Sequence, residues 1–395
     1  MADGGLRILM VAPTPYFADR GCHVRIFEEA RALRTLGHDV RIATYHIGRD
    51  LPGIPVLRIP RIPWYNRLEA GPSWHKLYLD FLLLCKAAAY SLRFRPQVIH
   101  AHLHEGAAIG WLLKLMTRVP LVFDYQGSLS GECIDHGFFR ADSRVARIFR
   151  WVERFINNRA DRIVTSSTAG YTDLRANWGV VPERLVSVID GVDTDQFRPH
   201  DRQEARSRLG IAPDEPVVAY LGLMSAYQGT DLLLDAIALL KAQGVHARFL
   251  IMGFPVERYR AMAEAKGIND MITFTGKVDY REAPLFLSAA DLAVSPKLSL
   301  TEANGKLFNY MACALPVVVF DTPVNREILG DTGIYAPLGD TAAFAARVAA
   351  LLADQEGLKG RGERVRSKAV HDHAWQARGA LLAEVYRTVT AVDRH

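Results

Sequence analysis

The segment TEANGKLFNYMACALP, residues 301–316, combines residue types that could bind a charged ligand. Glu302, Asn304, Gly305 and Lys306 precede an apolar run that is typical of a buried helix. Free amides at a helix N-terminus attract anions, and the ammonium group of Lys306 would add a full positive charge. Glu302 would repel a phosphate and so would face a hydroxylated group, such as a sugar. A helix start with incidental polar residues is the alternative interpretation.

The segment is not a nucleotide-binding P-loop. That motif requires a glycine five residues before Gly305 and a hydroxyl side chain after Lys306, and those positions hold Leu300 and Leu307. Two other strand-to-helix turns carry glycines at expected helix starts, Gly21 in PTPYFADRGCHVR and Gly229 in LGLMSAYQGTD. A ligand-binding turn and an ordinary connection fit Gly21 equally well.

Three histidines, His100, His102 and His104, alternate as on a strand, which raises the question of a metal site. Because the only adjacent acid is Glu105, we expect no metal here.

Short apolar runs rich in β-branched residues alternate with helical patterns. RILMVA (7–12), for example, is followed by an amphipathic stretch at 22–37. Continuous apolar strands separated by helices predict a parallel sheet covered on both faces. The polar, proline-containing stretch 191–216 resembles an interdomain linker, and the alternation restarts after it.

We therefore predict an α/β protein with two Rossmann-like β/α/β domains, residues 1–195 and 196–375, facing each other across a cleft. A C-terminal helix near 376–395 would pack back on the first domain. In open α/β sheets, ligands bind at the carboxyl ends of the strands.

Composition and charge narrow the functional class. Four scattered cysteines with no metal spacing indicate a reducing compartment, and no signal peptide or membrane span is expected. Residues 1–200 carry 26 basic and 20 acidic residues, so the net charge of +5 arises in the first half. We predict a cytoplasmic protein with an anionic partner on that half, such as the inner face of the cell membrane, and no nucleic acid partner.

A helix expected near 141–158 carries arginines on one stripe and apolar residues on another. A packed helix with a solvated outer face is the favoured interpretation, and contact with anionic lipid head groups is the alternative. The stretch at 56–84, with its prolines, tryptophans and basic residues, suggests a loop and helix for an amphipathic acceptor. The basic stripe comprises Arg140, Arg144, Arg147, Arg150 and Arg154. The apolar stripe comprises Val145, Ile148, Val152, Phe155 and Ile156.

The order of several segments resembles that of the retaining family-4 glycosyltransferases. These segments include GCHVRIFEEARALRTLGHDV and VIHAHLHEGAAIG in the first half and VIDGVDTDQFRP, YLGLMSAYQGTDLLLDAI and TEANGKLFNYMACALPVVVFDTPVNREIL in the second. The match spans nearly the whole chain. It implies a GT-B fold, a nucleotide-sugar donor on the second domain, an acceptor on the first, and no metal or other cofactor.

The resemblance also assigns roles, with departures. Glu302 would contact the donor sugar, and Asn309 stands where an acid usually holds the ribose hydroxyls. Leu223 and Gln228 stand where an arginine and a lysine usually hold the diphosphate. We expect Lys306 to take over that role, together with Lys297. Further donor-binding residues implied are Gly21, Gly222, Gly229, Gly253, Lys277, Asn304, Gly305 and Leu307.

In the first domain, Gln126 replaces a histidine that is frequent in the family, which leaves Asp124, His102 and His104 as polar candidates. We place Gln126, His104 and Glu105 on the acceptor side. The catalytic candidates are Glu302, Lys306 and Asp124.

The resemblance favours a retaining glycosyltransferase that acts on a hydroxyl of a lipid-linked or glycan acceptor. Lys306 would stabilise the leaving diphosphate, and either a donor-phosphate oxygen or Asp124 would receive the acceptor proton. A catalytically silent sugar- or nucleotide-binding protein and a sugar-nucleotide epimerase of the same fold are the alternatives.

Overall fold

The computed structural model describes residues 5–18, 21–66, 73–135, 138–300 and 303–392. The chain forms two compact units. Unit 1 runs to Asp190 and also takes in the chain from Trp375 onward, and unit 2 contains Gly191–Leu300 and Asn304–Ala374.

Over its described residues, unit 1 contains a parallel sheet of seven strands in the order β3-β2-β1-β4-β5-β6-β7. The central strands are almost wholly buried because helices cover both faces. The strands are β1 (Arg7–Ala12), β2 (Asp39–Thr44), β3 (Val56–Arg58), β4 (Val98–His102), β5 (Leu121–Tyr125), β6 (Arg162–Thr165) and β7 (Leu185–Ser187). The helices between them are α1 (Gly21–Thr35), α2 (His75–Phe94), α3 (Leu103–Thr117), α4 (Leu129–Asp135), α5 (Arg144–Asn157) and α6 (Thr168–Asn177).

Unit 2 repeats the same plan with six described strands in the order β10-β9-β8-β11-β12-β13. They are β8 (Val217–Leu221), β9 (Arg248–Met252), β10 (Ile272–Gly276), β11 (Leu292–Ser295), β12 (Val317–Phe320) and β13 (Ile334–Ala336). The helices are α7 (Arg202–Leu209), α8 (Thr230–Ala242), α9 (Val256–Ala265), α10 (Ala283–Ser288), α11 (Lys306–Ala312), α12 (Pro323–Leu329), α13 (Thr341–Ala353) and α14 (Gln355–Asp372). The order of both sheets reverses beside the first strand, as in doubly wound nucleotide-binding folds. The predicted fold class is confirmed.

The last helix, α15 (Trp375–Val392), belongs to unit 1. Gly379 lies so close to α1 that a Cβ atom there would come within 2.7 Å of the Ala32 Cβ atom. Further along α15, the Tyr386 hydroxyl is hydrogen-bonded to His100 on β4. The small residue and the tyrosine thus seat α15 against the sheet and α1.

Two local predictions are wrong. The stretch 191–216 is not a plain linker, because it contains α7, whose Arg206 is buried and bonded to Asp291 at 3.0 Å and to the Ala289 carbonyl. His104 does not lie on a strand with His102. The chain turns at Leu103 (φ 63°) and begins α3 there.

None of the described helices is both long and apolar enough to cross a membrane.

The Asp291 carboxylate offers a test of unit 2 stability. It is 6% exposed and also accepts a hydrogen bond from the Val217 amide at 2.7 Å. Asp291→Ala would leave Arg206 as an uncompensated buried charge, so we expect the free energy of unfolding to fall by about 3–5 kcal/mol. Urea unfolding followed by circular dichroism measures this change.

Glu204→Ala is the matched control, because Glu204 forms an exposed ion pair with Arg208 on the helix that carries Arg206. In Glu204→Ala the free energy of unfolding should fall far less than in Asp291→Ala. Equal losses in the two variants would contradict a structural role for the buried pair.

Candidate active site

The loops that follow β8 and β11 meet in unit 2 at the point where the strand order reverses. Lys306 begins α11, and its Nζ atom donates a hydrogen bond to Gln228 Oε1 at 2.9 Å. The same Nζ atom lies 4.5 Å from the centre of the Tyr220 ring. Lys306 and Gln228, which are distant in the chain, therefore lie together beyond the carboxyl ends of β8 and β11, where open α/β sheets bind ligands.

Three predicted glycines allow this close approach. A Cβ atom on Gly229 (φ 72°) would lie 1.9 Å from the Pro296 carbonyl oxygen. A Cβ atom on Gly253 would lie 1.9 Å from the Gly222 carbonyl oxygen, and one on Gly222 (φ 133°) would lie 3.3 Å from Lys306 Nζ. Since only glycine lacks a Cβ atom, these positions bring backbone to backbone at the carboxyl ends of β8, β9 and β11.

Two other predicted donor-binding residues, Asn304 and Leu307, are buried and fix the start of α11. The buried Asn304 amide donates to Ser295 Oγ at 3.1 Å and to Asn325 Oδ1 at 2.9 Å, which ties the start of α11 to β11 and α12. Leu307 is fully buried, and its amide donates to the Asn304 carbonyl. Gly305 directly precedes α11.

The remaining candidates in unit 2 lie on the surrounding elements. Asn309 is half-buried on α11, one turn after Lys306. Lys277 follows β10 and lies 5.9 Å from the centre of the Phe254 ring. Lys297 is buried beside Tyr227 (5.7 Å), and the Leu223 carbonyl accepts a hydrogen bond from Tyr220. Glu302 lies outside the described residues.

In unit 1, Asp124 lies fully buried near the end of β5 within a charge network. Arg25 contacts its carboxylate through Nε (2.9 Å) and Nη2 (2.8 Å), and His102 Nδ1 lies at 2.9 Å. Gln126 Nε2 donates to the same carboxylate at 2.6 Å. Burial alone would raise the pKa of Asp124, but the charge of Arg25 and the bond to His102 hold this pKa well below its usual range. A carboxylate held ionised in this way is a weak proton acceptor.

The same network bears on metal binding. Glu29, His100, His102 and Asp124 offer ligand atoms within 4.8 Å of one another. However, the Arg25 guanidinium contacts both Glu29 (2.9 Å) and Asp124 (2.8 Å). Its positive charge occupies the position next to these oxygens, which counts against a cation.

His104 and Glu105 both lie on α3, where Glu105 faces α2 and His104 faces β5. Glu105 forms an ion pair with Lys76 on α2 at 2.6 Å. The buried His104 ring packs edge-on against Phe123 and Tyr125. Gly21 begins α1.

Sequence reasoning missed most of a cavity in unit 1 of about 690 Å³, of whose lining it named only Gln126 as a site residue. It lies where β5 and β6 end, and α4, α5 and α6 contribute to its walls. The sequence signal that could have indicated this cavity is its position after the carboxyl ends of two predicted strands, where open α/β sheets bind ligands. Its lining combines hydroxyl groups, two arginines and aromatic rings: Tyr125, Gln126, Gly127, Ser128, Ser130, Gly131, Arg150, Trp151, Arg154, Ser166, Ser167, Gly170, Asp173, Asn177 and Trp178.

The chain matches two known sequence-family models, one in each half. A sequence model described as "Glycosyl transferase 4-like domain" matches residues 20–190, and one described as "Glycosyl transferases group 1" matches residues 215–354. Two successive sheets of this kind with these matches define a glycosyltransferase with the GT-B fold. The chain belongs to the family-4 type of glycosyltransferases, as its motifs predicted.

Among curated proteins, the chain is 29% identical to a D-inositol 3-phosphate glycosyltransferase of Geodermatophilus obscurus, over 85% of this chain and 78% of that protein. It is 28% identical to D-inositol 3-phosphate glycosyltransferase 2 of Catenulispora acidiphila, over 93% and 89% of the two chains.

Two solved structures share the fold. Sucrose-phosphate synthase from Thermosynechococcus elongatus superposes with a TM-score of 0.83 at 20% identity, over 98% of this chain and all of that one. HepE of Anabaena, in complex with UDP and glucose, gives 0.79 at 17% identity, over 97% of this chain and all of that one.

Burial of His104 predicts a pH dependence of stability. Burial lowers the pKa of His104 in the folded chain, although Glu153 opposes this shift. On acidification the unfolded chain therefore binds the proton first. The contribution of His104 to the free energy of unfolding is complete above about pH 6.5. As the pH decreases toward the folded-state pKa, this contribution falls by up to about 1.4 kcal/mol per pH unit.

Urea unfolding of wild type and His104→Phe between pH 7.5 and 5.5 tests this expectation. The variant should show the shallower decline, whereas His246→Gln, at an exposed histidine, should decline like wild type. Parallel curves for wild type and His104→Phe would contradict it.

Proposed function

We propose that this glycosyltransferase uses a nucleotide-sugar bound on unit 2 and transfers the sugar, with retention of configuration, to a hydroxyl of a phosphorylated polyol bound in the unit 1 cavity. The observation that carries the proposal is the position of the Lys306 ammonium group, beside Gln228 and the glycine-lined ends of β8, β9 and β11. HepE, a protein of the same fold, binds UDP and glucose.

On the donor side, negative charge develops on the diphosphate as the bond to the sugar breaks. A fixed ammonium group stabilises this charge more in the transition state than in the ground state, which is the condition for faster transfer. Lys306 would supply the charge, and so the transfer would require no metal ion. Gln228 positions the ammonium group, Asn309 would hold the ribose hydroxyls, and Glu302 would hold the donor sugar.

On the acceptor side, the cavity matches a ligand that carries both hydroxyl groups and a phosphate. Arg150 and Arg154 supply positive charge, and serines such as Ser128 and Ser166 supply hydrogen bonds to hydroxyls. The relatives named D-inositol 3-phosphate glycosyltransferase favour an acceptor of this type. The lipid-linked acceptor predicted from the sequence fits the same chemistry when its head group is a phosphorylated polyol.

The acceptor hydroxyl must lose its proton as the new bond forms. Asp124 was one candidate base, but its lowered pKa and its bonds to Arg25, His102 and Gln126 favour an orienting role. A phosphate oxygen of the donor would therefore receive the proton. The reaction would take place in the cytoplasm or at the inner face of the membrane.

The first test removes the proposed diphosphate ligand. Lys306→Ala should weaken the binding of a nucleoside diphosphate by about 10- to 150-fold, because a hydrogen bond to a charged group contributes about 1.5–3 kcal/mol. Binding of the corresponding nucleoside should hardly change. Isothermal titration calorimetry with UDP, GDP and ADP and their nucleosides measures both.

Lys359→Ala, at an exposed lysine of α14, is the control and should bind like wild type. If Lys306→Ala weakened nucleoside and diphosphate binding equally, the phosphate role would be wrong.

The second test addresses the reaction and its acceptor. We expect one of a panel of UDP-, GDP- and ADP-sugars to release nucleoside diphosphate faster when inositol 3-phosphate is added. Arg154→Gln should raise the KM for that acceptor at least tenfold and leave the KM for the donor within about twofold, because Arg154 lines the unit 1 cavity and the donor is proposed to bind on unit 2.

Stimulation by unphosphorylated inositol at the same concentration would contradict phosphate recognition. The absence of both diphosphate release and a thermal shift with every nucleotide would contradict the enzymatic proposal.

A further inference from the structure

Helix α5 exposes apolar side chains that a packed helix would bury. Val145 is 46% exposed, Ile148 60% and Trp151 68%, and Phe138, in the segment before the helix, is 54% exposed. The interpretation that this stripe faces the protein interior is wrong for Val145 and Ile148. We call the exposed residues Val145, Ile148 and Trp151, with the arginines Arg144 and Arg147, the α5 face.

The orientation of α5 is fixed by the opposite side of the helix. Ala146 and Ile156 are buried in unit 1. The buried Glu153 carboxylate accepts hydrogen bonds from the amides of Leu129 (3.1 Å) and Ser130 (2.8 Å). The Ser143 hydroxyl caps the helix by accepting from the Ala146 amide. Turning the α5 face inward would break these contacts.

Positive charge accompanies the apolar stripe. Residues 138–159 contain six arginines and two acidic residues, and one of those acids, Glu153, faces the interior. Arg144 and Arg147 each directly precede an apolar residue of the face. Because successive helical residues are about 100° apart, the basic and apolar stripes lie side by side.

We propose that the α5 face docks on an anionic lipid bilayer. An interfacial helix inserts apolar side chains at the level of the lipid head groups while neighbouring arginines contact their phosphates. The α5 face offers both features on one fixed surface. This inference does not depend on the proposed transfer reaction.

The combination of positive charge and apolar surface disfavours other binding partners for the α5 face. A second copy of the chain, packed by a two-fold axis, would bring the same arginines against one another. A nucleic acid would satisfy the arginines but would leave Val145 and Ile148 in water. Since Arg150, Trp151 and Arg154 of α5 also line the unit 1 cavity, bilayer contact would place that part of the cavity wall near the head groups.

Vesicle co-sedimentation of the full chain tests the proposal. We expect at least tenfold stronger binding to phosphatidylglycerol–phosphatidylcholine vesicles than to pure phosphatidylcholine vesicles, with a marked loss at 0.5 M salt. Val145→Ser/Ile148→Ser and, separately, Arg144→Gln/Arg147→Gln should each weaken binding to the anionic vesicles at least tenfold. All four residues are exposed and lie outside the cavity lining.

Leu338→Ser and Arg208→Gln are matched controls in unit 2, with 45% exposure at Leu338, and both should bind vesicles like wild type. Nucleoside diphosphate binding should be unchanged in every variant, which separates this test from that of the transfer reaction.

Several outcomes would overturn the proposal: equal binding to both kinds of vesicle, no binding to either, or anionic binding that the α5 substitutions leave intact. Analytical ultracentrifugation that shows an α5-dependent dimer without vesicle binding would assign the face to a second copy. Binding to an RNA oligonucleotide but not to vesicles would also refute it.

Discussion

Unit 1 is organised around the buried guanidinium group of Arg25. It contacts Asp124 on β5, Glu29 one turn along α1, and Asp190 beyond β7, and it donates to the Val188 carbonyl at 3.0 Å. One side chain thus connects the first helix to two distant parts of the sheet. Three carboxylates around one guanidinium leave an excess of negative charge. Burial raises the pKa of Glu29 well above its usual range, although the charge of Arg25 opposes this shift.

Much of the fold could be predicted because buried parallel strands leave a plain signal in the sequence. RILMVA at 7–12 coincides with β1, and the helix start expected at Gly229 is that of α8. The polar helix α7 was missed because its structural anchor is a charged residue, Arg206, whose partner Asp291 lies far along the chain. Sequence periodicity indicates which residues share a face, but it does not say whether protein or solvent covers that face. For this reason the exposure of Val145 and Ile148 required the structure.

The candidate site, like the fold, was predicted only in part from the sequence. The resemblance indicated that Lys306 could replace two missing cations, and the structure places its ammonium group against Gln228, one of the two replaced positions. Whether the lysine binds diphosphate stays a prediction. The unit 1 cavity was missed because the sequence does not show how far apart α4, α5 and α6 stand beyond the ends of β5 and β6, although these elements follow one another in the chain. Asp124 was singled out as a catalytic candidate, and that role stays a prediction. Its ionic partners, which decide its chemistry, are visible only in three dimensions.

The return of α15 to unit 1 has a consequence for biosynthesis. The Tyr386 hydroxyl that meets His100 leaves the ribosome long after the strands it joins, with the whole of unit 2 made in between. Domains generally fold as units during synthesis, N-terminal ones first. The surface of α1 around Ala32 therefore stays uncovered by α15 until the codons for Trp375–Val392 have been read. A ribosome stalled in the second half of the message would therefore hold a nascent first unit that still lacks one of its packing helices.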